Sequence, residues 1–293
     1  MRRNIYLPEG SGPLLPEELS LSFLREAMEQ QTILSGTAIR CDGRRDLHLR
    51  LGPYDAIMPR WEAVHPSISG SERDIAVLSR AGKESYFTIK SIQIAPSGQP
   101  KLLLSRRAAQ EQAIAWLLEN APPGTVLPAR VTHLASFGAF VDLGCGVISM
   151  IPLEYLSVSR ISHPNRRLQP GQDILVLVKD VDREACRFYL SHRELLGTWL
   201  ENAAAFSPGD TVTGIVRDIR DYGVFIELTP NLTGLADPCP DVSEGDMATV
   251  YIKSIRPETR KIKLQYIQSL GPAPAPKVPA YFITDGPVTD WIY

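Results

Sequence analysis

The sequence predicts an all-β chain, three β units in tandem joined by short helices, and three observations carry that prediction. The first is an internal repeat: SFGAFVDL at 136–143 returns as DYGVFIEL at 221–228, at a constant offset of 85 residues. Alternate positions in both copies are apolar (Ala139, Val141 and Leu143; Val224, Ile226 and Leu228), the pattern of a strand with one buried face. The second is a strand with a central lysine that occurs once per unit, as YFTIKSI, ILVLVKDV and TVYIKSI, around Lys90, Lys179 and Lys253. The third is punctuation. Leu-Ser, then a helical stretch, then Pro-Gly closes one unit and opens the next, at 104–124 and again at 190–209. Regularity of that kind marks tandem repetition.

Taken in order, residues 1–31 open with an irregular Gly/Pro stretch and continue as a helical pattern, PEELSLSFLREAMEQ, with Leu19, Phe23 and Met28 on one face. They predict an N-terminal extension with a capping helix. Residues 32–107 hold short alternating segments, LHLRL at 47–51, YFTIKSIQI at 86–94 and KLLLS at 101–105, separated by the turn signals GPY and APSGQP. A linker helix follows over 108–120, with Ile114, Leu117 and Leu118 on its apolar side. The second unit spans 121–196 and contains EYLSVSRISHPNRRLQ, read as a short helix and loop between its third and fourth strands. A linker helix over 197–206 leads to the third unit, 207–268. From Lys179 to Lys253, and from Leu190 to Leu264, the offset is 74 residues, so the third unit has lost 11 residues from that loop. Residues 269–293 begin as a stiff proline-rich linker, GPAPAPKVPA, and end YFITDGPVTDWIY, which reads as a frayed tail with aromatics able to dock on a neighbour.

Length and composition suit two or three soluble domains: 293 residues, 44% hydrophobic. The longest apolar runs, such as ILVLV at 174–178, are of strand length, and MRRNIYLPEG lacks the apolar core of a signal peptide. We therefore expect a cytoplasmic protein that needs no membrane. The four cysteines, Cys41, Cys145, Cys186 and Cys239, form no CxxC pair and suggest neither a disulfide framework nor a zinc ribbon. Net charge is −2, but its distribution is uneven: +5 over 32–107 (12 basic, 7 acidic), +1 over 121–196 (8 basic, 7 acidic) and −2 over 207–268 (7 basic, 9 acidic). Attraction for a polyanion should be strongest at the N-terminal end.

The repeated motif carries the candidate site. If Ala139, Val141 and Leu143 face inward, Phe137 and Phe140 point outward, and Tyr222 and Phe225 do the same in the second copy. Residues three apart on a regular strand face opposite ways, so Gly138 and Gly223 are expected to bend or bulge the strand and bring both rings to one surface. Rings held outside a sheet suit base stacking. Closure of a barrel end is the plainer alternative for either single ring.

These residues resemble the S1 domain family, and the whole chain resembles the short clostridial-type small-subunit ribosomal proteins of that family. The match is close over 121–268, where SFGAFVDLG, PGQDILVLVKDVDREACRFYLS, DYGVFIEL and NLTGL follow the family pattern, and looser over 32–107. The resemblance implies three five-stranded OB-fold barrels. It also implies RNA bound on one barrel face by two aromatics of the first two strands, a histidine on the third, and an aspartate and arginine near the fourth and fifth. Carried over, the second unit keeps Phe137, Phe140, Asp182 and Arg187, with Pro152 in the histidine's place. The third keeps Tyr222 and Phe225, with Asp237 at the histidine, Pro257 at the aspartate and Lys261 at the arginine. The first has Arg45 and His48 at the aromatic positions and Pro59 at the histidine, a degenerate face, although arginine and histidine can themselves stack on bases.

Other candidates are weaker. Asp180 and Asp182 lie two apart with no third ligand near in sequence, so turn formation or a pair with Arg183 or Arg187 outweighs metal binding. His133, His163 and His192 read as surface or RNA-facing positions. No GxSxG, HExxH or GxxxxGK occurs, so no catalytic residue, metal or cofactor is expected. Lys90, Lys179 and Lys253 would contact phosphates in a row, or else lay their stems on the barrel. The reading is a non-catalytic binder of single-stranded messenger RNA at the small ribosomal subunit, monomeric off the ribosome. Its rivals are a ribosome-docking adaptor and a regulatory or decay factor away from the ribosome.

Overall fold

The computed structural model describes residues 6–12, 14–16, 19–65, 70–94, 98–239, 242–276, 279–289 and 291–293. In chain order, α1 (Leu21–Glu29) precedes β1 (Leu34–Cys41), β2 (Leu47–Leu51) and β3 (Tyr54–Met58). Then come α2 (Gly70–Leu78), β4 (Glu84–Ile94), β5 (Pro100–Ser105) and α3 (Arg106–Asn120). The second set is β6 (Val126–Ala135), β7 (Gly138–Asp142), β8 (Ile148–Pro152), β9 (Asp173–Asp182) and β10 (Arg187–Ser191), followed by α4 (Trp199–Ala203). The third is β11 (Thr211–Arg220), β12 (Gly223–Thr229), β13 (Leu232–Ala236), β14 (Asp246–Arg256) and β15 (Lys261–Pro272).

Each set closes into a five-stranded barrel with one strand order: β1-β2-β3-β5-β4, β6-β7-β8-β10-β9 and β11-β12-β13-β15-β14. The third and fifth strands of each barrel pair in parallel, as Ala56 with Leu102, Met150 with Tyr189, and Leu235 with Lys263. That parallel closure joins the two edges that the antiparallel hairpins leave open, so no barrel presents a free edge along its length. All three are OB-fold barrels, as expected.

Two compact units make up the fold, residues 1–120 with 142–148, and residues 121–141 with 149–293. In the first, α1 covers the barrel with Leu24 and Ala27 fully inside, while Phe23 and Met28 pack at the margin. Ser20 caps this helix by accepting from Phe23 N at 3.1 Å. The expected Leu19–Phe23–Met28 face is thus rotated by about one residue. A helix between the third and fourth strands, α2, was not anticipated for this barrel. The buried stripe of α3 is Arg106, Ala109, Gln110, Ala113 and Leu117, with Ile114 and Leu118 only half-buried. The reason lies in polar partners: Arg106 Nε and Nη2 grip Glu9 at 2.6 and 2.9 Å, and Gln110 Nε2 donates to Gly146 O at 2.7 Å. Glu9 also takes Arg80 Nη1 at 2.5 Å. Burial would raise the Glu9 carboxyl, but the two guanidiniums hold it below its ordinary value.

In the second unit, α4 inserts Trp199 and Ala203 into the core of the third barrel. A capping box between Thr198 and Glu201 starts α4. The stretch before it is a separate 3-10 turn, Arg193–Leu196, set off from the linker helix by Gly197 at φ 82°. Arg167 and Arg217 converge on Glu227; Arg167 and Glu227 are buried, and the Arg217 side chain is 7% exposed. The tail also differs from expectation. Instead of fraying, it lies on its own chain: Tyr281 Oη accepts from Leu175 N at 3.0 Å, Val288 N donates to Gly124 O at 2.9 Å, and Tyr293 Oη donates to Asn231 O at 2.9 Å. His192, read from sequence as a surface or RNA-facing position, is 0% exposed. Its Nδ1 lies 2.9 Å from Leu156 O and its Nε2 3.2 Å from Tyr281 Oη, so the tail tyrosine helps enclose it.

Candidate nucleic-acid interface

On the second barrel the paired rings meet as expected, but for a different reason. Phe137 is not on a strand at all: it sits in the tight turn between β6 and β7, so strand alternation does not apply to it, and its ring meets that of Phe140 edge-on, centroids 6.0 Å apart at 84°. Tyr222 and Phe225 repeat this geometry at 6.1 Å and 89°. The glycine after each turn aromatic is required by a close approach. A Cβ on Gly138 would lie 2.5 Å from Ile151 O, and one on Gly223 would lie 2.5 Å from Ala236 O. The neighbouring strand therefore crosses where any side chain would stand, and this locks the turn that presents the ring.

Phe137 is 58% exposed and Tyr222 66% exposed, while Phe140 and Phe225 are half-buried beside them. Exposed His133 on β6 adds a third ring to the second barrel, 6.0 Å from Phe140 and tilted by 33°. On β10, Phe188 and Leu190 turn inward, which sends Arg187 and Tyr189 outward together. Tyr189, 50% exposed, pairs with Met150 of β8, and Met150 lies against Gly138. Sequence reasoning missed Tyr189. The signal was present in the alternation of RFYLS at 187–191, where the motif-based reading stopped at the arginine.

Asp182 is the register partner of Arg187, and its Oδ1 accepts from Glu184 N and Ala185 N at 3.1 and 2.9 Å. It shapes the β9–β10 hairpin, the turn role weighed for it from sequence. Pro152 ends β8 in the place of the missing histidine.

The third barrel carries two acids on this face, Asp218 and Asp237. Asp218 stands where His133 does, in register with Phe225, and pairs with Arg220 at 2.8 Å. Asp237 lies 3.3 Å from Lys253 Nζ and 3.9 Å from Lys263 Nζ. Lys263 replaces Tyr189 as the strand neighbour, and Lys261 is exposed. On the first barrel, Arg45 occupies the β1–β2 turn at φ 67°, and His48 Nε2 lies 2.8 Å from Asp42 Oδ2. That hydrogen bond to His48 leads the interactions that hold the Asp42 carboxyl down at about 2. The ring of His48 is thus engaged by a local carboxylate.

The three recurrent lysines, weighed from sequence as a row of phosphate contacts or as stems laid on the barrel, each have a carboxylate partner. Lys90 pairs with Glu62, 2% exposed, which also accepts from Ser105 Oγ at 2.6 Å. Lys179 lies 3.8 Å from Glu194, which is held by Ser191, and its ammonium sits 4.2 Å above the Tyr155 ring. Ser105 and Ser191 are the serines of the recurring Leu-Ser ends. The repeat therefore conserves a lysine–glutamate–serine arrangement in two barrels, with the glutamate supplied before α2 in one and after β10 in the other. Among the described residues, Lys253 pairs with exposed Asp237 alone.

Residues 121–193 match the family model described as S1 RNA binding domain. The chain is 35% identical over 140 residues to the small ribosomal subunit protein bS1 homolog of Bacillus subtilis, covering 46% of this chain and 36% of that protein. It is 30% identical over 215 residues to small ribosomal subunit protein bS1 of Leuconostoc lactis, covering 68% of this chain and 49% of that one. The chain thus spans half or less of the length of these relatives. A solved multidomain protein with nucleic acid binding domains from Streptococcus pneumoniae aligns over 80% of this chain and 73% of its own, at 15% identity and a TM-score of 0.27.

Proposed function

We propose that this chain, with an S1 RNA-binding domain as its second barrel, holds single-stranded RNA on the outer face of that barrel and does no chemistry on it. The observation that carries the reading is the convergence of His133, Phe137 and Phe140, with Arg187 and Tyr189 turned outward on β10, one strand beyond β8. Stacked rings accept any base, and a guanidinium among them neutralises a phosphate, so binding of this kind is tolerant of sequence. Asp182, an acceptor with one carboxylate oxygen committed to the hairpin, would take a base or ribose hydrogen bond with the other.

The third barrel contributes Tyr222 and Phe225 with Lys253 and Lys261, at lower affinity because Asp218 and Asp237 repel phosphate. Arg45, His48 and Lys90 of the first barrel add at most a general positive field. Linked weak faces reinforce one another through effective concentration. The setting we propose is messenger RNA at the small ribosomal subunit in the cytoplasm, with the protein monomeric when free. Co-sedimentation with 30S particles tests this: the protein should pellet with them, and more of it when a leader-containing messenger RNA is present. Absence from the pellet under both conditions refutes the ribosomal setting while leaving RNA binding to be tested separately.

A further inference from the structure

Between the second and third barrels lies an open cleft of about 540 Å³ that none of the stacking residues lines. One wall holds Arg167 and Arg217, both gripping Glu227. Arg167 Nη1 reaches Oε1 at 2.7 Å and Nη2 reaches Oε2, while Arg217 Nε and Nη2 reach Oε2 and Oε1 at 2.8 and 3.0 Å. Two guanidiniums against one carboxylate leave one positive charge in surplus, and both arginines are buried to 7% side-chain exposure. Arg217 Nη1 has no hydrogen-bond partner among the described residues. Arg166 adds a further cation at the lining. A desolvated surplus guanidinium is costly without an anion, and its planar donors match phosphate oxygens.

The remaining lining is mostly apolar, with Met247 on one side and the Ala-Pro-Ala-Pro segment 273–276 on another. Flat proline and methionine surfaces suit a planar ring. A mostly apolar cleft of this size with a few convergent charged groups is the usual form of a small-molecule site. We infer that this cavity binds a phosphate ester carrying a flat ring, of the size of a nucleoside monophosphate, either free or as the phosphorylated end of an RNA chain.

Calorimetric titration of the full chain with AMP, adenosine and inorganic phosphate tests the site. AMP should bind, and adenosine should bind about tenfold more weakly or worse, since a hydrogen bond to a charged group is lost. Arg217→Met should weaken AMP by a similar factor. It leaves Arg167 and Glu227 as a neutral pair, so the fold is retained. Met247→Trp, which fills the cavity without altering charge, should abolish AMP binding, whereas Phe137→Ala/Phe140→Ala should leave it unchanged. No AMP binding by the wild type, or binding lost on Phe137→Ala/Phe140→Ala and kept in both cavity variants, overturns the proposal. The source of the phosphate is read with 5′-phosphorylated and 5′-hydroxyl forms of one oligoribonucleotide. A preference for the phosphorylated form that disappears in Arg217→Met assigns the cavity to an RNA end, and equal binding of the two forms, with AMP still bound, assigns it to a free nucleotide.

Discussion

Glu227→Gln perturbs the fold at a single buried charge. Glu227 is 4% exposed and accepts four hydrogen bonds from two guanidiniums, one from the loop of the second barrel and one from β11 of the third. Glutamine keeps the volume but removes the charge and turns one acceptor into a donor aimed at a donor. Two like charges then face each other with little water to screen them. Removing one partner from a buried charge network costs about 3–5 kcal/mol, a large share of the roughly 5–15 kcal/mol that stabilises a domain. With a urea slope of about 1–3 kcal/mol per M, the unfolding midpoint should fall by roughly 1 M or more. Arg217→Met should cost far less, because it leaves a neutral pair, and adding it to Glu227→Gln should recover part of the loss by removing one of the opposed charges. If Glu227→Gln unfolds within about 1 kcal/mol of the wild type, water reaches the network and the ion triad does not join the barrels as described.

Three further outcomes follow from the same structure. Lys90→Met leaves buried Glu62 with only Ser105 and the more distant Arg107 at 3.9 Å among the described residues, and should lower stability by about 1–3 kcal/mol in urea denaturation while the salt slope of RNA binding stays put; a flattened slope with intact stability would assign Lys90 to the phosphate contacts. His192 is held down at about 4 by burial, against 6.5 for the free side chain, so the unfolded chain takes up the proton first. Its stabilising contribution is complete above about pH 6.5 and is lost as pH falls toward 4, on the order of 3 kcal/mol; in His192→Gln the denaturation midpoint should fall less over that range, and identical profiles would contradict the assignment. Tyr189→Ala should weaken a short oligoribonucleotide by about 1–3 kcal/mol without changing the melting temperature, and unchanged affinity would remove Tyr189 from the face.

The barrels were legible because OB strands are short and half-buried. Ala139, Val141, Val224 and Ile226, picked by alternation alone, are all at 0% exposure. The convergence of Phe137 and Phe140 was legible too, although its cause was not, because the position of Ile151 O across from Gly138 is a tertiary fact that no local pattern encodes. The lysines show the opposite case. Their recurrence was visible, but the partners Glu62 and Glu194 come from different places in the two repeats, so no repeat alignment could pair them. The buried stripe of α3 and the burial of His192 escaped for one shared reason. Polar side chains paired through contacts distant in sequence look like surface residues until the partner is known.

The central claim is that the ring cluster of the second barrel is where RNA is held, and fluorescence titration of the full chain with a short unstructured oligoribonucleotide measures it most directly. Phe137→Ala/Phe140→Ala should lose about 1–3 kcal/mol per base no longer stacked, while far-UV dichroism and the melting temperature stay close to wild type, because Phe137 is mostly exposed and the barrel core lies beneath it. The matching pair, Tyr222→Ala/Phe225→Ala, should lose less. A folded Phe137→Ala/Phe140→Ala protein that binds the oligoribonucleotide as tightly as wild type would contradict the account.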